Sequence, residues 1–182
     1  QLAAFMAERD DLPAEGNWAL LREAQSMAAR DLPDVGIVIT TDIGDARDIH
    51  PRNKREVGRR LGLWALAEAY DRPIDGYESP SFKNVERVDG PDGGKALRIT
   101  FNQTGSGLTT RDGKDPDGFA LKGPTGKFEW AKARIENDGT SVIVWSAGIP
   151  DPNEACFAWQ NNPARANLVN SAGLPADPFR AR

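Results

Sequence analysis

Asp42, Asp45 and Asp48 lie within eight residues of His50, the only histidine among 182 residues, in the stretch TTDIGDARDIHPRNK. A carboxylate can hold one imidazole nitrogen and leave the other free to take a proton from a nucleophile. That arrangement is the acid–base half of a hydrolase. A lone histidine directly before Pro51 can equally serve as a helix cap, and residue types alone leave both readings open. Metal chemistry fits less well. One histidine and one cysteine do not make a zinc ligand set, and the three aspartates lack the spacing and distal glutamate of a calcium loop.

An acid–base pair needs a nucleophile, and the sequence offers none that convinces. There is no GxSxG elbow. Ser106, in TGSGL, reads as part of a turn, and Cys156 beside Phe157 reads as a small core residue. With one cysteine, no internal disulfide can form.

The elements flanking His50 read as α/β. NWALLREAQSMAARDL has helical spacing with Trp18, Leu21, Gln25 and Ala28 on one face. Proline and glycine in DLPDVG end that helix. VGIVIT then has the short, β-branched, apolar character of a buried parallel strand. Its carboxyl end leads into the His50 loop, where ligands bind in open α/β sheets. Pro51 is placed as the first residue of a second helix, with Val57, Leu61, Trp64, Ala65 and Glu68 at spacings of three and four.

From about Asp71 the texture changes. Glycine, proline and aspartate become frequent, and short runs appear: KNVERV, KALRITF, FEWAKARI and TSVIVWS. ENDGTS reads as a hairpin turn between the last two. The expected organisation is a C-terminal section of a doubly wound parallel sheet over residues 1–70. A small antiparallel, sandwich-like unit over 71–182 follows it, ending in an irregular tail. A chain opening on QLAAF, without an initiator methionine and with a single apolar strand, is expected to lack sequence that precedes it. A net charge of −4 with mixed signs argues against a nucleic-acid binder. No apolar run approaches the roughly 20 residues that a membrane helix needs.

DIGDARDIHPRNKREVGRRL closely resembles the histidine-containing block of the sialate O-acetylesterase family, a branch of the SGNH-type serine esterases. QLAAF, NWALLREAQ, GFAL and FAWQNNPARANLVNSAGLPADPFR resemble the same family in the same order, so the likeness extends over nearly the whole chain. It implies a carbohydrate O-acetylesterase, acting on sialic acid or on acetylated hemicellulose such as xylan or xyloglucan, with no metal and no organic cofactor. His50 would be the general base and then the general acid. The position three before the histidine, often the acid in SGNH esterases, is Arg47 here. Asp48 is therefore the first candidate for the acid and Asp45 the second. The serine and oxyanion donors belong to blocks that this sequence does not contain. The implied partner is an N-terminal fragment carrying that serine, and the implied location is secreted, periplasmic or lysosomal.

Gln25 could line the cleft, and Trp159 with Asn161 and Asn162 could stack on and hydrogen-bond a sugar. The plainer readings make Trp18 a core residue, Arg22 a salt-bridge partner and the tail a cover folded back over the helices. The alternative for the whole chain is a non-catalytic carbohydrate-binding or subunit-interaction module with His50 as a cap.

Overall fold

The computed structural model describes residues 1–8 and 17–182. Two helices come first, α1 (Asn17–Asp31) and α2 (Lys54–Glu68). Beyond them the chain is mostly antiparallel β-structure. One sheet has the order β1-β2-β7-β6, from β1 (Ser81–Asp89), β2 (Lys95–Asn102), β7 (Ser141–Trp145) and β6 (Lys132–Ile135). A second has the order β10-β8-β4-β5, from β10 (Phe179–Ala181), β8 (Glu154–Phe157), β4 (Phe119–Lys122) and β5 (Glu129–Trp130). A two-stranded ribbon pairs β3 (Leu108–Thr110) with β9 (Leu168–Asn170).

The two four-stranded sheets share one apolar core, as the sequence pattern predicts. In β2, Leu97, Ile99 and Phe101 alternate inward, because successive side chains of a strand point to opposite faces. The outward Arg98 faces Glu86 directly across the ladder and also binds Glu136. Opposing sheets meet through rings: Phe179 of β10 lies 5.0 Å from Phe82 of β1 and 5.8 Å from Phe101 of β2, while Phe119 and Phe157, cross-strand partners in one sheet, are 4.7 Å apart. Burying each such side chain contributes roughly 1.5–3 kcal/mol. The hairpin read in ENDGTS forms between β6 and β7. Gly139 takes φ +66, and the Asp138 carboxylate accepts the Thr140 and Ser141 N–H groups at 2.8 and 2.9 Å.

The tail is more ordered than its sequence suggested. It supplies β8, β9 and β10, and Phe157, Leu168 and Phe179 from it enter the core. Each of these strands has only three or four residues, too few for a period-two pattern to show between prolines and asparagines. Asn170, fully buried, ties the region together: its amide donates to the Glu78 carbonyl at 2.8 Å and accepts from Leu174 N–H at 2.9 Å.

The helical section departs from expectation in three ways. Residues 35–40 are extended and partly buried, but no strand ladder forms there among the described residues. The run lies against the first residues of the chain instead. The Gln1 amino group donates to the Val38 carbonyl at 2.9 Å, and the Thr40 hydroxyl to the Gln1 carbonyl at 2.8 Å. Second, α2 begins at Lys54, not Pro51, because Asn53 caps it: its side-chain oxygen accepts from Glu56 N–H at 3.1 Å. Third, the inward faces are rotated. Leu21, Ala28 and Leu61 are exposed, whereas Arg22 and Arg60 are buried at 0% and 3% exposure. None of the described helices is long and apolar enough to cross a membrane.

Candidate active site

The loop between the extended run and α2 is fastened at its base, its middle and its end. At the base, the Arg60 guanidinium grips the Asp42 carboxylate bidentately at 2.7 and 2.8 Å. It also donates to the Ile39 carbonyl, and to Glu56 at 2.9 Å. Burial alone would lower the Arg60 pKa, but Asp42 and Glu56 outweigh it and the pKa is raised, so the side chain stays charged. In the middle, Gly44 packs so close to the Ala4 backbone that an added Cβ would lie 2.0 Å from its carbonyl oxygen. At the end stands the Asn53 cap. Glu56 belongs to both outer fastenings, and the arginines hold its carboxyl down at about 2, Arg59 foremost.

Within this frame Asp48 and His50 come together. The Asp48 Oδ1 accepts the His50 backbone N–H at 2.9 Å and lies 3.4 Å from the imidazole Nδ1. That backbone hydrogen bond is the main reason the Asp48 carboxyl is held below its ordinary range, with the imidazole adding to it. The His50 side chain is 84% exposed. A proton on Nδ1 would face Asp48 and leave Nε2 as the nitrogen with the free lone pair, the tautomer a general base needs. Asp45 does something else: its Oδ1 accepts the Arg47 backbone N–H at 2.8 Å, and Asp45 and Asp48 form an isolated antiparallel bridge. The three aspartates thus serve three different partners and do not converge.

The NWALLREAQ motif forms a clamp. Trp18, Arg22 and Gln25, at i, i+4 and i+7 on α1, all hold the first residues of the chain. The Trp18 indole donates to the Ala3 carbonyl at 2.9 Å, and the Gln25 Oε1 accepts from Leu2 N–H at 2.9 Å. Arg22 donates to the carbonyls of Leu2, Ala3, Gln160 and Asn161 at 2.7–2.8 Å. Burial lowers its pKa to about 10, against the pull of Asp177. Arg22 is therefore a carbonyl staple more than the salt-bridge partner the sequence suggested. Gln25 has its side-chain oxygen engaged in the clamp, and its described hydrogen bonds do not include His50.

The tail folds back onto the same segment. The Asn162 amide donates to the Met6 carbonyl at 2.9 Å, and Phe5 N–H donates to the Asn161 carbonyl at 3.4 Å. Trp159, expected to face a sugar, is instead 5% exposed and packs with Ala19, Ala120 and Cys156. The Arg180 guanidinium lies 4.6 Å from its ring centre. A buried ring already covered by a cation offers no open face for stacking. Cys156 is in the core, and burial pushes its thiol up to about 12. A cleft of about 470 Å³ opens between α1, the Trp64 face of α2 and the sandwich edge at Phe82 and Gln103. His50 and Asp48 do not line it.

Residue type and spacing do not single out Arg60 or its pairing with Asp42, because arginines off the apolar spacing of a helix are ordinarily assigned to solvent. The signal available was Glu56 four residues before Arg60, the spacing of an intrahelical ion pair.

The two helices and the antiparallel sheets match part of a solved carbohydrate acetylesterase structure. The structure matches that of a novel carbohydrate acetylesterase from Xanthomonas citri with a TM-score of 0.88 and 39% sequence identity, covering 100% of this chain and 40% of that one. The sialate O-acetylesterase of Rattus norvegicus is 26% identical over 180 residues, covering 92% of this chain and 32% of that protein. The chain therefore resembles a sialate O-acetylesterase in sequence and a carbohydrate acetylesterase in structure. The chain spans less than half the length of either relative. No protein-family model matches it.

Proposed function

We propose that this chain supplies the acid–base histidine of a carbohydrate O-acetylesterase of SGNH type, acting by a serine mechanism. The observation that carries the reading is the Asp48–His50 pair: Nδ1 lies 3.4 Å from a carboxylate oxygen and the rest of the imidazole is open. Its setting in a chain 39% identical to a carbohydrate acetylesterase supports the reaction class.

In this reading the nucleophilic serine belongs to a part of the protein outside this chain, and the two parts work as one enzyme. The serine attacks the acetyl carbonyl while His50 Nε2 takes its proton. Asp48 keeps the ring in the productive tautomer and stabilises the imidazolium. Donors outside this chain hold the developing oxyanion, each worth roughly 3–4 kcal/mol. His50 then protonates the departing sugar oxygen, and water activated by the same nitrogen releases acetate from the acyl-enzyme. Asp48, which touches the ring, takes the role of acid in preference to Asp45, which is bonded to Arg47. The substrate is an O-acetylated carbohydrate, sialic acid or hemicellulose, and the protein works outside the cytoplasm.

Acetate release from acetylated sialic acids, xylan and xyloglucan by the assembled enzyme tests the reading. Asp48→Asn is expected to slow hydrolysis on the order of 10⁴-fold, as loss of the correct tautomer does in a serine triad, and Asp45→Asn far less. Equal activity in Asp48→Asn and wild type would move the acid elsewhere.

A further inference from the structure

We infer that Arg60 is a positioning residue for His50, acting through the loop that carries the histidine and never touching it. The inference rests on the acid–base reading of His50.

The path from Arg60 to the histidine is continuous. Asp42 opens the loop and Asn53 closes it, and both are bound to the first turns of α2. Asp42 is held through Arg60; Asn53 is held through the Glu56 N–H, and the Glu56 carboxylate returns to Arg60 at 2.9 Å. The two ends of a twelve-residue segment (42–53) thus meet on one helix, Asp42 at the Arg60 side chain and Asn53 at the Glu56 backbone N–H, with the Glu56 carboxylate bonded to Arg60. Arg60 uses four N–H···O contacts: two to Asp42, one to Glu56 and one to the Ile39 carbonyl in the run that leads into the loop. Its side chain is 3% exposed and that of Asp42 11%, so the pair is shielded from the screening that weakens surface ion pairs. Only a planar guanidinium can fork onto a carboxylate and reach a carbonyl and a second carboxylate at once; a lysine ammonium cannot reproduce that geometry.

Among the described residues, the exposed half of the loop has little else to hold it. His50 is open, its close contacts run to Asp48 two residues away, and the Asp48 and Asp45 turns are local to the loop. Among the described contacts, those that place the imidazole relative to the rest of the protein are at the ends of the loop and at Gly44 against Ala4. A misplacement of about 1 Å at a reacting group can lower turnover 10²-fold.

The test uses the assembled enzyme and p-nitrophenyl acetate, with active sites counted from the burst of p-nitrophenol. Arg60→Lys keeps the charge and removes the fork. It is expected to lower kcat per active site about 10–100-fold with KM within about twofold, because the histidine moves while substrate contacts elsewhere persist. Asp42→Asn removes the paired charge from the other side and is expected to give the same split; it serves as the reading if Arg60→Lys does not fold. Unchanged kcat per active site in the folded variants, with only a lower Tm or fewer active sites, would overturn the inference and leave Arg60 merely structural. His50→Ala separates the layers. If His50→Ala is inactive while Arg60→Lys and Asp42→Asn turn over normally, the positioning role alone fails. If His50→Ala is fully active, the acid–base reading fails and this inference with it.

Discussion

In the sandwich, the most deeply buried large side chains are rings and aliphatics: Phe119, Phe157, Ile99 and Leu121, each with less than 2% exposure. In the helical section they include two arginines, Arg22 and Arg60, while Leu20, Leu21, Met27 and Leu61 are at least 40% exposed. One region is cohered by apolar area and ring contacts, the other by guanidinium groups that collect backbone carbonyls and carboxylates. The difference teaches where order comes from beside the candidate site. The exposed loop that carries His50 buries little apolar area, and the fastenings at its ends are polar. Those fastenings have defined directions, which apolar packing lacks.

The contrast between the two regions can be broken at several strengths. The largest effect belongs to the sandwich: Phe157→Ala is expected to cost about 3–5 kcal/mol, read by denaturant unfolding, and a loss under 1 kcal/mol would deny that the facing sheets share one core. Arg22→Met comes next, at about 3 kcal/mol, because it leaves four carbonyls without their donor. It is expected to release residues 1–5 and 159–162 together in hydrogen exchange; release of one without the other would split the clamp. Acid gives a smaller effect. The Glu56 carboxyl is held near 2, below its ordinary 4.5. The unfolded state therefore binds the proton first, and the stabilisation is fully present above about pH 4.5 and is lost as pH falls towards 2. Glu56→Gln should remove about 1–2 kcal/mol of this acid-sensitive stability, so wild type and variant converge at pH 2. The smallest effect is on the exposed helix face, where Leu21→Gln should change the stability of the isolated chain by less than about 0.5 kcal/mol.

The sequence disclosed the two regions unequally. The long strands β1, β2 and β7, and the turn at Asp138 and Gly139, were legible because alternation and turn chemistry are local. The strands at 154–157, 168–170 and 179–181 were not, since their order comes from the sheet they join and from Asn170 reaching across the chain. At the candidate site, His50 and Asp48 were legible from residue type and family resemblance. Their dependence on Arg60 was not, because an amphipathic pattern assigns arginine to solvent, and only the tertiary fold shows Asp42 waiting on the inner side. Trp159 failed for the same reason in reverse: an aromatic beside amides looks like a sugar platform until Arg180 and Ala19 are seen to cover it.

Catalysis in this reading turns on His50, and turnover of the assembled enzyme on an O-acetylated carbohydrate tests it directly. His50→Ala should reduce acetate release at least about 10³-fold with the fold intact, as loss of a triad base does. Wild-type turnover in His50→Ala would contradict that role and leave His50 as a residue of the loop before α2, in a chain whose carbohydrate chemistry lies elsewhere.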